Sequence, residues 1–103
     1  MNKEVTIYSM SDPLSNKIFY VGQTIDLKRR IREHKYDPCS NALYDKMKYL
    51  KSMDIDPIYN IIEVCDIDQK IERELYWIMK FIHEGIELIN REYKYFKRDQ
   101  RNQ

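Results

Sequence analysis

The sequence predicts a single α/β domain of the α+β type: a three-stranded antiparallel sheet with helices packed around it, in the order ββααβα, ending in a tail or short helix. Three observations predict it. Two runs rich in Ile, Val, Tyr and Phe flank a turn-forming segment near the start. Two Asp-Pro pairs, Asp37-Pro38 and Asp56-Pro57, divide the remainder, because the residue before a proline is pushed out of helical geometry. The segment after residue 66 repeats its apolar residues at the helical period of about 3.6.

Residues 5–10 and 17–21 read as paired strands, since β-branched and aromatic side chains suit a half-buried pleated surface. Between them Ser11-Asp12-Pro13-Leu14-Ser15-Asn16 is turn chemistry, with Pro set for a turn and Asp and Asn able to bond nearby backbone. Gly22 ends the second strand. Thr24 or Asp26 caps a first helix that runs to residue 35. Ser40 or Asn41 caps a second, to residue 53, with Leu43, Met47 and Leu50 on one stripe. Residues 58–64 form the third strand. Asp66 or Asp68 opens a third helix to residue 83, and Gly85 stands where a helix terminator belongs. Residues 86–89 are a short apolar piece. The expected division is a folded domain over 1–92 and a basic, aromatic tail over 93–103.

Composition limits the function classes. The 103 residues make one domain, and 43% hydrophobic with 34% charged residues excludes a disordered chain and a membrane protein. No run approaches the roughly 20 apolar residues of a spanning helix. Met1-Asn2-Lys3-Glu4 leads straight into a strand with no signal-peptide pattern, so the expected setting is intracellular, in the cytoplasm. Cys39 and Cys65, with His34 and His83, match no close-set zinc spacing and read as small soft side chains in or near the core. The net charge of +1 is uninformative, but its distribution is not. Residues 28–35 and the tail from Arg91 to Arg101 are basic, while residues 63–74 are mainly acidic. Segregated charge of this kind gives a surface with a positive side; a solvated helix face gives the same string.

Two polar side chains fall on apolar faces. In the third helix Ile71, Leu75, Ile78 and Ile82 form a stripe with Phe81 beside it, and Glu74 falls between Ile78 and Phe81. Arg73 and Lys80 fall on the opposite, solvent side. A carboxylate on the buried face is costly unless paired, hydrogen-bonded or bound to metal; a salt bridge at the core's rim is the plain alternative. In the first helix Leu27 and Ile31 point inward, Arg30 and His34 flank them, and Arg29 and Arg32 point outward. Arg30 therefore either snorkels over apolar surface or faces a cleft shared with Glu74. A guanidinium to grip phosphate and a carboxylate to hold a cation suit phosphate chemistry.

The hairpin adds a resemblance. Thr6-Ile7-Tyr8 on the first strand and Tyr20-Val21-Gly22 on the second resemble the paired signature of the GIY-YIG nuclease family. The stretch from Tyr20 through His34 is similar to that family's second motif and first helix. Ile71-Glu72-Arg73-Glu74-Leu75-Tyr76-Trp77-Ile78 resembles its carboxylate helix, and Leu88-Ile89-Asn90 its closing segment. The resemblance spans residues 4–91, with Thr6 replacing the usual first glycine and Val21 the usual Ile.

What the resemblance implies is a metal-dependent endonuclease hydrolysing phosphodiester bonds in DNA, one strand per active site. Its site would fall on Tyr8, Tyr20, Arg30, His34, Glu74 and Asn90. Glu74 would hold Mg²⁺ (or Mn²⁺), and Arg30 would bind the scissile phosphate. Tyr8 or Tyr20, assisted by His34, would orient or deprotonate the attacking water. Asn90 would position the phosphate or Glu74. Arg29, Arg32 and Lys35 on the first helix, with Lys94 and Lys97 in the tail, are the expected backbone contacts. The tail has a second reading, a helix packing Tyr93 and Phe96 on the core with its lysines in water. Expected partners are duplex or branched DNA and a homodimer or targeting protein, with no membrane. The alternative function is a non-catalytic nucleic-acid-binding module that keeps the fold.

Overall fold

The computed structural model describes residues 3–36 and 41–92. The chain forms β1 (Glu4–Asp12), β2 (Lys17–Thr24), α1 (Leu27–Tyr36), α2 (Asn41–Ser52), β3 (Ile58–Asp66) and α3 (Lys70–His83). Single 3₁₀ turns occupy Ile67–Gln69 and Ile89–Glu92. The sheet is antiparallel in the order β2-β1-β3, so the three-stranded ββααβα architecture is present. Among the described residues no helix is long and apolar enough to cross a membrane.

Polar side chains fix the joints between elements. At the hairpin, Asp12 Oδ1 accepts from the Leu14 N–H at 2.8 Å, and Asn16 takes a left-handed φ of 59° that Asn tolerates well. Lys46 of α2 ties down the same aspartate at 2.9 Å. Asp26 is the cap of α1: its Oδ1 accepts the Arg29 N–H at 3.1 Å, while Thr24 Oγ1 accepts the N–H of Asp26. The third helix differs from expectation at its start. Neither Asp66 nor Gln69 makes a side-chain cap; a 3₁₀ turn leads into it instead. It ends in a Schellman motif, with Ile86 N–H bonding Phe81 C=O, Gly85 N–H bonding Ile82 C=O, and Gly85 at φ 87°.

The central strand β1 is covered on both faces, so alternation along it sorts side chains into two cores. Val5 and Ile7 join Val21, Cys65, Ile78 and Leu88 on the α3 side. Tyr8 and Met10 join Phe19, Tyr20, Leu43 and Leu50 on the α1 and α2 side. Ile78 is the fully buried knob of α3, and its truncation to Ala costs about 2–5 kcal/mol. Two register shifts, at Ile7/Tyr8 against β3 and at Met10/Ser11 against β2, bend the sheet where the tyrosines lie. The apolar stripe of α3 needs two corrections. Ile71 is 52% exposed because cover ends before the helix's first turn. Arg73 is half-buried rather than free in solvent: its guanidinium grips Glu63 of β3 at 2.9–3.0 Å, and the Trp77 indole N–H donates to the same carboxylate at 2.7 Å.

Candidate active site

The hairpin sets the first two groups. Tyr8 of β1 lies opposite Gly22 of β2, and Tyr20 lies opposite Met10. Both rings are buried, with centroids 6.4 Å apart. The glycine is required by this packing: a Cβ at residue 22 would lie 2.5 Å from both Cζ and the hydroxyl oxygen of Tyr8. Tyr8 thus occupies the space that Gly22 vacates. Thr6, which stands where the family's first glycine is usual, pairs with Thr24 and Val64 along the ladder.

Helix α1 brings two more. His34 is fully buried, with its ring centroid 6.0 Å from both Tyr8 and Tyr20. Its Nε2 contacts the Tyr8 hydroxyl at 3.4 Å, and its Nδ1 contacts the Tyr59 hydroxyl at 3.3 Å. Burial, reinforced by the Arg30 charge and opposed by Glu33, pushes the imidazole down to about 4. The ring is therefore neutral near pH 7. Arg30, one turn earlier, keeps about a quarter of its side-chain surface (28%) exposed and lies 3.4 Å from Glu33.

Helix α3 supplies the carboxylate. Glu74 is 9% exposed, and no hydrogen bond to it is found among the described residues. Burial pushes its pKa up to about 7, while the nearby Arg30 guanidinium pulls the other way. That opposing pull places Arg30 and Glu74 in one electrostatic neighbourhood although they come from different helices. The two charges are the pair that helical phase had singled out.

Asn90 is bound differently from the rest. It is fully buried, its Nδ2 donates to the Val21 carbonyl at 2.7 Å, and its Oδ1 accepts from the Val21 N–H at 2.8 Å. Its amide replaces a neighbouring strand at the residue between Tyr20 and Gly22. Its side-chain amide thereby supports the hairpin. Arg29 and Arg32 point outward from α1 and are exposed; Arg29 lies 3.6 Å from Glu33. The Lys35 side chain, Lys94 and Lys97 lie outside the described residues.

The donor set bears on the metal. Among the described residues no group of three His, Cys, Asp or Glu side chains converges. A caged zinc site is therefore not built from them. Glu74, nearly buried and without a hydrogen bond among the described residues, is the one carboxylate of the predicted site, a hard oxygen donor of the kind that divalent cations take.

A family model, the GIY-YIG catalytic domain, matches residues 4–103. The chain belongs to the GIY-YIG family. This is a nuclease family whose members generally use divalent metals. No curated protein matches the chain, and no solved structure does. Within this GIY-YIG domain the structure draws Tyr8, Tyr20 and His34 into one cluster, sets Arg30 and Glu74 within each other's field, and anchors Asn90 to the second hairpin strand. Sequence reasoning missed Tyr59. Its ring centroid lies 5.9 Å from Tyr8 and 6.1 Å from His34, with the imidazole plane tilted only 15° from its own. The one available signal was a tyrosine early in a strand of otherwise aliphatic character, and the strand's register, which decides what it faces, is not written in the strand itself.

Proposed function

We propose that the protein is a metal-dependent endonuclease that hydrolyses phosphodiester bonds in DNA, cutting one strand per active site. The observation that carries this reading is the buried cluster of Tyr8, Tyr20 and His34, with the Arg30 charge acting on both His34 and Glu74. Hydrolysis builds negative charge on the phosphate and on the leaving oxygen, and groups already aimed at that charge lower the barrier. Arg30 supplies a planar, permanently charged donor fork for the phosphate. Glu74 would hold the divalent cation, Mg²⁺ or Mn²⁺, which supplies Lewis-acid stabilisation of the developing charge when bound. A cation beside Glu74 also favours its ionised form, which burial alone disfavours. Tyr8 takes the proton of the attacking water as its own proton passes to His34 Nε2. A neutral imidazole is required for that second transfer, and burial keeps His34 neutral. Tyr20 and Asn90 keep the hairpin in register around Tyr8. Exposed Arg29 and Arg32 supply salt-dependent contact to the DNA backbone.

Nicking of supercoiled plasmid with Mg²⁺ tests the reading. Wild type converts the plasmid to open circles, and Glu74→Ala does not, while both retain DNA on a filter. If the two proteins are equally inert yet both retain DNA, the protein is a binding module on a nuclease fold. If neither retains DNA at low salt, both readings fail.

A further inference from the structure

We infer that the open edge of β3 is a homodimer interface, at which the strand pairs antiparallel with the same strand of a second copy and joins the two sheets into one. The consequence for cleavage rests on the nuclease reading; the interface itself does not.

The two edges of the sheet differ. At β2 the Asn90 amide occupies the N–H and C=O of Val21. At β3, among the described residues, a strand of 9 residues pairs with β1 alone. Solvent-facing edge strands are ordinarily blunted by lysines, an internal proline or short length. Strand β3 has none of these, and its one irregularity is a bulge at Ile62. Together with the turn that follows, it exposes Ile58, Ile61, Val64 and Ile67, each between 36% and 61% accessible. A row of branched aliphatics along an unpaired edge marks an association surface.

Symmetry specifies the occupant. Two identical strands paired antiparallel are related by a two-fold axis, so each contact occurs twice. The four exposed aliphatics are mirror-symmetric in sequence about the midpoint between Ile62 and Glu63. With the axis there, Ile61 faces Val64 of the second copy and Ile58 faces its Ile67. The pleat agrees. On β1, Tyr8 lies opposite Ile61 and Thr6 opposite Val64, and Thr6 and Tyr8 share one face of the sheet. Ile61 and Val64 therefore share that face as well, because the bulge inserts a residue between them. Ile62 packs in the core under α3 and Glu63 binds Arg73 of α3, so the two central residues share the other face. Facing side chains thus match in direction on both sides of the axis. They match in charge too: Glu63 meets Ile62, Asp66 meets Tyr59, and no like charges stand opposite one another. A strand without this mirror pattern would leave some of the four aliphatics in water.

Such an axis stands normal to the sheet, so Tyr8 of each copy lies on the same face. The two β1 strands are then three strand spacings, about 14 Å, apart. Two sites related by a two-fold on one face suit the two antiparallel strands of a duplex. The dimer therefore cuts both strands in one binding event, where a single chain nicks.

Sedimentation velocity of the full chain over a concentration series tests the interface. Wild type should pass, by mass action, from the 12.7 kDa chain to a particle of twice that mass. Ile61→Lys with Val64→Lys sets ammonium groups opposite each other and should remain monomeric throughout, with an unchanged circular dichroism spectrum, since both positions are exposed. Ile61→Lys with Val64→Glu sets an ammonium opposite a carboxylate in this register and should restore the dimer. The inference is overturned by a wild type that stays monomeric, by a dimer that survives the double lysine substitution, or by failure of the lysine–glutamate combination to dimerise. With Mg²⁺ and plasmid, wild type should give open circles below the dimerising concentration and linear molecules directly above it, while the double lysine variant gives open circles first at both. If wild type cuts nothing, the nuclease reading fails, and sedimentation still decides the interface.

Discussion

Strand β3 carries two polar clusters that are built in opposite ways. Towards α3, Glu63 meets Arg73 at 2.9–3.0 Å and Trp77 at 2.7 Å. Towards α1, on the other face of the sheet, Tyr59 meets His34 at 3.3 Å, and His34 meets Tyr8 at 3.4 Å. In the first cluster each partner favours the ionised form of the other: the Arg73 and Trp77 hydrogen bonds hold Glu63 below the usual carboxylate range, and Glu63 raises Arg73. In the second region burial favours neutral forms, lowering His34 and raising Tyr59 and Glu74. The clamp is finished in the resting fold and serves to hold β3 against α3. The histidine–tyrosine region has longer contacts, and its burial favours uncharged forms. Short and charge-matched describes the scaffold; long and charge-frustrated describes the candidate site.

The contrast can be broken from the site side first. Arg30→Lys keeps the charge but loses the planar fork, and should lower plasmid nicking about 100-fold, the cost of one removed oxyanion donor, with little change in melting temperature. Gly22→Ala attacks the packing beneath the site. Its new Cβ meets a Tyr8 ring that is walled in by Tyr20, His34 and Tyr59, so overpacking should cost about 1–3 kcal/mol in urea unfolding and should also abolish nicking.

A pH series sharpens the comparison. His34 titrates at about 4 in the folded state against an ordinary 6.5. Between these values the unfolded chain binds more protons at His34, so the His34 share of stability is full above pH 6.5 and falls as pH drops towards 4, by about 2–3 kcal/mol. Glu74, raised to about 7, acts with the opposite sign: its share is full below pH 4.5 and is lost as pH rises towards 7. In wild type the two slopes oppose each other, and in His34→Gln only the Glu74 slope, stability falling as pH rises, should remain. The smallest effect belongs to the clamp. A double-mutant cycle of Glu63→Gln and Arg73→Met should give a coupling of about 0.2–1 kcal/mol, because the pair is partly solvated, with nicking unchanged.

The fold was legible because local signals agreed with one another. Asp26 caps α1, Gly85 terminates α3 and the turn chemistry of residues 11–16 joins the first two strands, each as the local sequence requires. Helical phase was enough to set Glu74 inward and Arg29 and Arg32 outward. It failed at Ile71, because phase describes a direction and not how far the neighbouring sheet extends. It failed at Arg73, whose partner Glu63 lies on another element. Tyr59 and the support given by Asn90 were hidden for the same reason. Both depend on strand register and on contacts across the whole chain, and neither leaves a periodic trace in its own segment. The steric partnership of Gly22 with Tyr8 is similar: the hairpin motif names both residues but not the close approach that joins them.

The amide of Asn90 stitches the end of the described chain to Val21, across 69 positions. A polypeptide still emerging during synthesis, or one truncated ahead of Leu88, would own Tyr8, Tyr20, Arg30 and His34 yet lack the side chain that closes the outer edge of β2. The hairpin strand that carries Tyr20 therefore gains this support only once the chain has been made as far as Asn90.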